Sequence, residues 1–254
     1  MTKIIAIVNQ KGGVAKTTTS VNLSTALSVM DKKILVIDLD PQGNSSTGFG
    51  IKHSDRKITI YQVLIGTKCV KEAIMDTNIP NLHLITSNTN LSGAEVDLLP
   101  MQNREYSLLI SLKKLEKKYD YIIIDCPPSL NLLTVNALVA CNEVLIPMQC
   151  DFYSLEGLSH LLKTIEVIEK KLNPKIKIIG ILFTMYDKRN RLTEQVEKDV
   201  RTHLGKLVFK TVIPRNIKLS EAPSYGQPAI IYDHKCLGSI AYMELTKEIL
   251  DRSL

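Results

Sequence analysis

Short apolar runs rich in Ile and Val recur along the chain, from Ile4 to Val8, Ile34 to Ile37, Leu82 to Ile85, Tyr121 to Ile124, Val144 to Pro147 and Ile176 to Phe183. In most of them apolar residues occupy consecutive positions rather than alternate ones, the pattern of parallel strands buried on both faces. Helical stripes lie between them. Val21, Leu23, Ala26, Leu27 and Met30 form one, and Leu108, Leu109, Leu112 and Leu115 a second. Leu155, Leu158, Leu161, Leu162, Ile165 and Ile168 form a third, closed by Asn173-Pro174. Strand alternating with helix predicts an α/β fold, a doubly wound and mostly parallel β-sheet flanked by helices. No Gly/Ser linker, repeat or low-complexity tract interrupts the pattern, so residues 1–254 read as a single domain.

Composition narrows the class. A hydrophobic fraction of 44% with 23% charged residues suits a soluble globular protein and is too apolar for a disordered one. Five cysteines, at 69, 126, 141, 150 and 236, are odd in number and show no C-x-x-C spacing, so they read as reduced thiols. Met1-Thr2-Lys3 precedes only five apolar residues before Asn9-Gln10-Lys11, which is no secretory signal. No apolar stretch approaches the roughly 18 residues that span a bilayer. A cytoplasmic location is expected.

The first strand runs straight into Gln10-Lys11-Gly12-Gly13-Val14-Ala15-Lys16-Thr17-Thr18, and a helix follows. Strand, Gly-rich turn and helix N-terminus together make an anion site, because main-chain N–H groups converge there and the helix dipole adds about half a positive charge. Gly12 and Gly13 permit close approach of the backbone and positive φ. Lys16 is placed to reach the β- and γ-phosphates of ATP, and the Thr17 hydroxyl to bind Mg²⁺. Such a loop also needs carboxylates at neighbouring strand ends, to hold the metal and the attacking water. Ile34-Leu35-Val36-Ile37 leads into Asp38-Leu39-Asp40-Pro41-Gln42-Gly43-Asn44, and Tyr121-Ile122-Ile123-Ile124 leads into Asp125-Cys126-Pro127-Pro128. An apolar strand ending in Asp is the Walker B pattern, and Asp125 fits it.

The loop departs from the common G-x-x-x-x-G-K-[ST] pattern: Ala15 replaces the last glycine and Lys11 stands immediately before Gly12-Gly13. It resembles the deviant Walker A loop, K-G-G-x-x-K-[ST], of the ParA/MinD ATPases. The D-x-D-P-Q-G-N and I-I-I-D-x-P-P segments are similar to ParA signatures. So is the block Ile213-Pro214-Arg215-Asn216 with Leu219-Ser220-Glu221-Ala222-Pro223-Ser224. These blocks span Lys3 to about Glu248, and they most resemble the chromosomal Soj/ParA subgroup.

The resemblance implies a P-loop fold that takes ATP and Mg²⁺ in the loop from Lys11 through Gly12, Gly13, Val14, Ala15, Lys16, Thr17 and Thr18. Lys11 would act across a homodimer interface on the partner's nucleotide. Asp40 would act near the attacking water and, with Thr17 and Asp125, in the metal shell, while Asp38 looks structural. The switch regions would be Asp40 to Thr47 and Asp125 to Ser129, and Pro214 and Asn216 would contact the adenine.

Charge is uneven. Residues 161–220 carry fourteen Lys/Arg and six Asp/Glu, a net +8 that leaves −2 for the remainder of a chain whose total is +6. Such a segment is a solvated face or a phosphate-backbone footprint. The resemblance favours the second: ATP-bound dimers would bind DNA without sequence preference, with Arg189 and Lys218 at matching positions, on the nucleoid. Lys218 stands where the family often has Arg, which keeps the charge but loses bidentate contact. A ParB-like centromere-binding protein would stimulate hydrolysis. The alternative is a MinD-like membrane switch in cell division, which needs a basic amphipathic C-terminal helix. Glu244 to Leu254 instead holds three acids against two bases, so no membrane partner is expected. An iron–sulfur carrier of the same fold would need paired cysteines. A metabolic kinase or ligase would need a small-substrate pocket that no motif suggests.

Overall fold

The computed structural model describes residues 2–116 and 118–252. Met1, Lys117, Ser253 and Leu254 lie outside the described residues, so the acidic tail is followed only to Arg252. Among the described residues seven strands form one sheet: β1 Lys3–Ile7, β2 Ile34–Asp38, β3 Ile74–Asp76, β4 Leu82–Ile85, β5 Tyr121–Asp125, β6 Glu143–Met148 and β7 Lys177–Phe183. Their spatial order is β3-β4-β2-β5-β1-β6-β7. All pairings are parallel except β3 with β4. The six strands expected from apolar runs are present within one or two residues of their expected ends. The unexpected one is β3, an antiparallel edge strand of three residues, Ile-Met-Asp.

Helices in the first half are α1 Lys16–Val29, α2 Asn44–Gly48, α3 Ile60–Leu64, α4 Ala94–Leu98, α5 Ser107–Leu112 and α6 Leu132–Ala140. The second half adds α7 Phe152–Lys171, α8 Arg191–Leu204, α9 Ile217–Glu221, α10 Ala229–Tyr232 and α11 Leu237–Arg252. Among the described residues, no helix is long and apolar enough to cross a membrane.

The consecutive apolar positions have the expected physical cause. Ala6, Leu35, Ile37, Ile122, Ile124, Val144 and Ile146 face one layer, where they pack with Leu108, Leu133, Leu161 and Val196 of α5 to α8. Ile5, Ile7, Ile34, Val36, Ile123 and Leu145 face the other, against Leu23 and Leu27 of α1 and Tyr242, Leu245 and Ile249 of α11. Successive strand side chains point to opposite faces, so a strand covered on both sides is apolar throughout.

Helix α1 is polar in sequence yet almost wholly buried. Three of its hydroxyls find acceptors within the helix itself: Ser20 Oγ donates to Lys16 O (3.0 Å), Ser24 Oγ to Ser20 O (2.7 Å) and Thr25 Oγ1 to Val21 O (2.8 Å). Such back-bonding lets the hydroxyls of a Ser/Thr-rich helix lie inside with partners, while Asn22 Oδ1 of the same helix is buried without one.

Candidate functional site

The chain leaves β1 at Ile7 and enters α1 at Lys16, and the turn between is braced from the ends of β6 and β7. Asn9 Nδ2 donates to Pro147 O (2.7 Å), Gln149 Nε2 to Gly13 O (3.0 Å) and Thr184 Oγ1 to Val14 O (3.1 Å). Gly13 has φ +74°. Ala15, the N-cap of α1, is also left-handed at φ 62°, ψ 32°, and provides no side-chain cap. The first-turn N–H groups of a fourteen-residue helix are therefore served by neither side chain nor preceding turn, the arrangement that attracts anions. A cavity of about 320 Å³ opens in front of them, lined by Gly12, Gly13, Lys16, Thr17, Asp40 and Asn44 among others.

Lys16 is buried and its Nζ donates to Lys11 O (2.8 Å). Burial lowers its pKa, and the carboxylates of Asp125 and Asp40 work in the opposite direction. Asp38 and Asp125 are register partners at the ends of β2 and β5, both fully buried. Burial first, and then the charge of Asp125, push Asp38 up to about 7. Burial pushes Asp125 up to about 6, against hydrogen bonds from the hydroxyls of Ser45, Thr17 and Ser20. Two carboxylates this close cannot both ionise freely in a low-dielectric interior.

The short helix α2 serves this pair. Ser45 Oγ donates to Asp125 Oδ2 and Ser46 Oγ to Asp38 Oδ2, both at 2.7 Å. Ser46 N adds a further 2.7 Å bond to Asp38. Asp40 stands one turn away on the cavity wall, with Gln42 N donating to its Oδ1 (2.9 Å).

The donor set suits Mg²⁺. Thr17, Asp40 and Asp125 offer oxygen alone, and Thr17 and Asp125 are already within hydrogen-bonding reach of one another. Among the described residues no group of three or more His, Cys, Asp or Glu could cage a metal. The fit is thus to an ion held jointly with phosphate oxygens, which is how Mg²⁺ is usually bound beside a nucleotide.

Beyond the phosphate end, a second cavity of about 280 Å³ is lined by Ala15, Thr18, Met185, Pro214, Asn216 and Tyr242 among others. Asn216 Oδ1 caps α9 by accepting from Lys218 N (2.9 Å). Met185, which lines both cavities, has φ +49°. Its sulfur accepts from Gln149 Nε2 (2.8 Å), the amide that also holds Gly13. Tyr242 is fully buried, with its hydroxyl 3.1 Å from Thr19 Oγ1.

Lys11 lies apart from this interior. Its Nζ forms an ion pair with Asp151, the N-cap of α7, and both side chains remain about a third exposed. Burial works against ionisation of Asp151, but hydrogen bonds from Lys11 and Ser154 outweigh it and hold the carboxyl below its usual range. Arg189, in the loop after β7, and Lys218, in the first turn of α9, follow two segments joined by a bridge between Tyr186 and Pro214. Arg189 makes two bonds to Asp187 (2.9 and 2.8 Å) with its side chain 89% exposed. Lys218 pairs with Glu221 (3.0 Å) and lies over the Tyr232 ring.

The structure thus gathers Gly12, Gly13, Lys16, Thr17 and Asp40 around one cavity, with Asp125 directly behind it. Pro214 and Asn216 line the adjoining one. Lys11, Arg189 and Lys218 stay on the surface. Motif reading missed Ser20, Asp151, Met185 and Tyr242, and it placed Ser45 and Ser46 only within the Asp40 to Thr47 switch region without a role. Only the paired serines directly after D-x-D-P-Q-G-N offered a signal, as hydroxyls at the start of a helix beside strand-end carboxylates.

A family model described as an AAA domain matches residues 2–178. The chromosome partitioning protein ParA of Caulobacter vibrioides (strain NA1000 / CB15N) is 50% identical over 252 residues, covering 98% of this chain and 94% of that protein. The sporulation initiation inhibitor protein Soj of Bacillus subtilis (strain 168) is 49% identical over 249 residues, 98% of each. Among solved structures, a cobyrinic acid a,c-diamide synthase from Mycobacterium smegmatis, with bound ADP and magnesium, matches with a TM-score of 0.86 at 36% identity, covering 98% of this chain and 94% of that one. A putative plasmid partition protein from Borrelia burgdorferi B31 bound to AMPPNP matches over the full length of both chains, with a TM-score of 0.85 at 29% identity.

Proposed function

This chain belongs to the ParA/Soj family of partitioning ATPases, and from that premise we propose that it is an ATP-driven DNA-partitioning switch acting as one domain over residues 1–254. The observation that carries the reading is the convergence of the α1 N-terminus, Lys16, Thr17 and Asp40 on one cavity, with the Asp125 carboxylate behind it. In this reading the loop from Lys11 to Thr18 wraps the phosphates of ATP, and Pro214 and Asn216 contact the adenine. Mg²⁺, held by Thr17 with Asp40 and Asp125, offsets phosphate charge when bound. Lys16 neutralises the β- and γ-phosphates, and Asp40 orients the attacking water. Hydrolysis is slow until a ParB-like protein stimulates it.

The surface position of Lys11 supports a role in trans, on the nucleotide of a second copy. Pairing of two ATP-bound copies doubles the phosphate contacts offered by Arg189 and Lys218, so DNA binding follows ATP and ignores sequence. Work therefore takes place on the nucleoid, in the cytoplasm.

Three measurements test the proposal. Lys16→Ala is expected to abolish nucleotide binding, and Asp40→Ala to keep binding but stop turnover. Mobility titrations with unrelated duplexes are expected to show ATP-dependent binding that weakens with salt, each contacted phosphate adding about 0.9 to the log–log slope. Arg189→Glu or Lys218→Glu is expected to cut that binding and leave dimerisation intact. Turnover by Asp40→Ala at the wild-type rate would remove the assigned water-orienting role. ATP-dependent binding to anionic liposomes with none to DNA would replace partition by a membrane switch.

A further inference from the structure

Arg56 follows a 3₁₀ turn, His53–Asp55, in the loop between α2 and α3, yet only 4% of it is exposed. An arginine that far inside normally has a carboxylate partner. Here none of the described carboxylates lies within ion-pair distance, and the guanidinium instead makes five hydrogen bonds to neutral oxygens. Nε and Nη2 donate to Ile51 O (3.2 and 2.8 Å), and Nη2 also to Thr47 Oγ1 (2.9 Å). Nη1 donates to Gly43 O and to Ser87 O, both at 3.2 Å. Burial works against the charge and lowers the pKa of the group, and the buried Asp38 carboxylate, further off, opposes that shift. Three of the four residues gripped belong to the segment that carries Asp40.

That segment is a chain of dependent contacts. Gly43 N closes the turn begun at Asp40 O (2.9 Å), and Gly43 O accepts from Thr47 N (3.1 Å) at the start of α2. Asp40, Gln42 and Asn44 face the phosphate cavity, and Ser45 and Ser46 hold the buried carboxylates behind it. Arg56 grips the rear of the same turn and ties it through Ser87 to the loop after β4. Gly43 is fitted to this grip: its φ is +64°, and a Cβ there would collide with Arg56 Nη1 and come within 3.0 Å of Ser87 O.

We propose that Arg56 is a positioning residue for ATP hydrolysis, fixing residues 40–51 so that Asp40 stands at the phosphate end of the cavity. This rests on the ATPase reading of the site. The fork geometry is essential to it. A lysine would keep the charge, but its single nitrogen cannot span Gly43 O and Ser87 O at one edge and Thr47 and Ile51 at the other. Arg56→Lys therefore separates charge and fold from position.

The test compares wild type, Arg56→Lys and the milder Thr47→Val, which removes one partner of the fork. Amide exchange on nucleotide-free protein is expected to accelerate about tenfold over residues 43–51 in Arg56→Lys, with β1, β2 and β5 unchanged. Fluorescent ADP binding is expected to hold within about threefold, because the α1 N-terminus is untouched. ATP turnover is expected to fall about tenfold with little change in KM, the signature of a misplaced group rather than a lost binding contact. Thr47→Val should move the first and third readouts in the same direction by less.

Wild-type turnover in Arg56→Lys, or exchange that accelerates evenly across the sheet with activity lost only in proportion to folded protein, overturns the proposal. Failure of the wild type itself to hydrolyse ATP sinks the ATPase reading instead. The exchange pattern then decides the remaining claim: acceleration confined to 43–51 sustains the positioning grip, and its absence removes it.

Discussion

Ala15 sits at φ 62°, ψ 32°, where a residue with a Cβ crowds its own carbonyl and loses about 1–2 kcal/mol against the right-handed region. Glycine avoids that cost, but the unfolded Ala15→Gly chain gains freedom worth about 0.4–1 kcal/mol in the opposite direction. The difference leaves the variant more stable by about 0.5–1 kcal/mol. For a chain of this size that is a rise of about 1–4 °C in Tm. Gly13→Ala is the mirror experiment. Its φ is +74° and an added Cβ would meet nothing within 4 Å, so the backbone effect operates alone, and the expected loss is about 0.5–1 kcal/mol, or about 1–4 °C. Both variants are melted without nucleotide, monitored by circular dichroism, so that ligand linkage does not enter. An Ala15→Gly protein that melts at or below the wild-type temperature, beside a Gly13→Ala protein that melts lower, would show that position 15 carries no left-handed strain.

Two further expectations follow from the buried and the exposed carboxylates. Asp38, at about 7, and Asp125, at about 6, hold protons more tightly folded than unfolded. Between about pH 4 and 7 the native state therefore binds more protons, and its stability falls as pH rises, by on the order of 1 kcal/mol per pH unit for each proton. Urea titrations across that range are expected to show the fall, and Asp38→Asn to flatten it; a wild-type profile with no fall would refute the burial argument. Asp151→Asn keeps an oxygen to cap α7 but removes the charge that holds Lys11. Sedimentation is expected to show ATP-dependent dimers at lower protein concentration than wild type, and weaker dimers would mean that the ion pair assists assembly rather than competing with it.

The sheet was legible because a strand covered on both faces has nowhere for polar residues, as in Ile34 to Ile37 and Tyr121 to Ile124. Strand β3 was not, since Ile-Met-Asp at an edge is too short for any period to register. The stripe from Leu108 stops at Leu112 because the chain turns at Lys113, and Leu115 packs from the loop instead. The phosphate loop and Asp40 could be read because strand, glycines and helix follow one another locally. The pairing of Asp38 with Asp125 depends on β2 and β5 being neighbours in register, which no local window contains. Arg56 and Asp151 were hidden for a similar reason: an arginine in a polar loop reads as solvated, and a helix-capping aspartate gives no hint of a lysine 140 positions earlier.

The sheet order also governs how this protein comes off the ribosome. β1 is made first, yet its neighbours are β5 and β6, with Lys3 set against Tyr121 and Ile5 against Glu143. At about 5–20 residues per second, β1 and the phosphate loop wait roughly 6–24 s before the first flanking strand exists. The second cavity waits longer, because Tyr242 arrives with the last helix. ATP can stabilise only a chain that already has its site, so the nascent protein gains no help from the nucleotide during translation. Ile4, Ile5 and Ile7 therefore stay without their sheet partners until about half of the chain has been made.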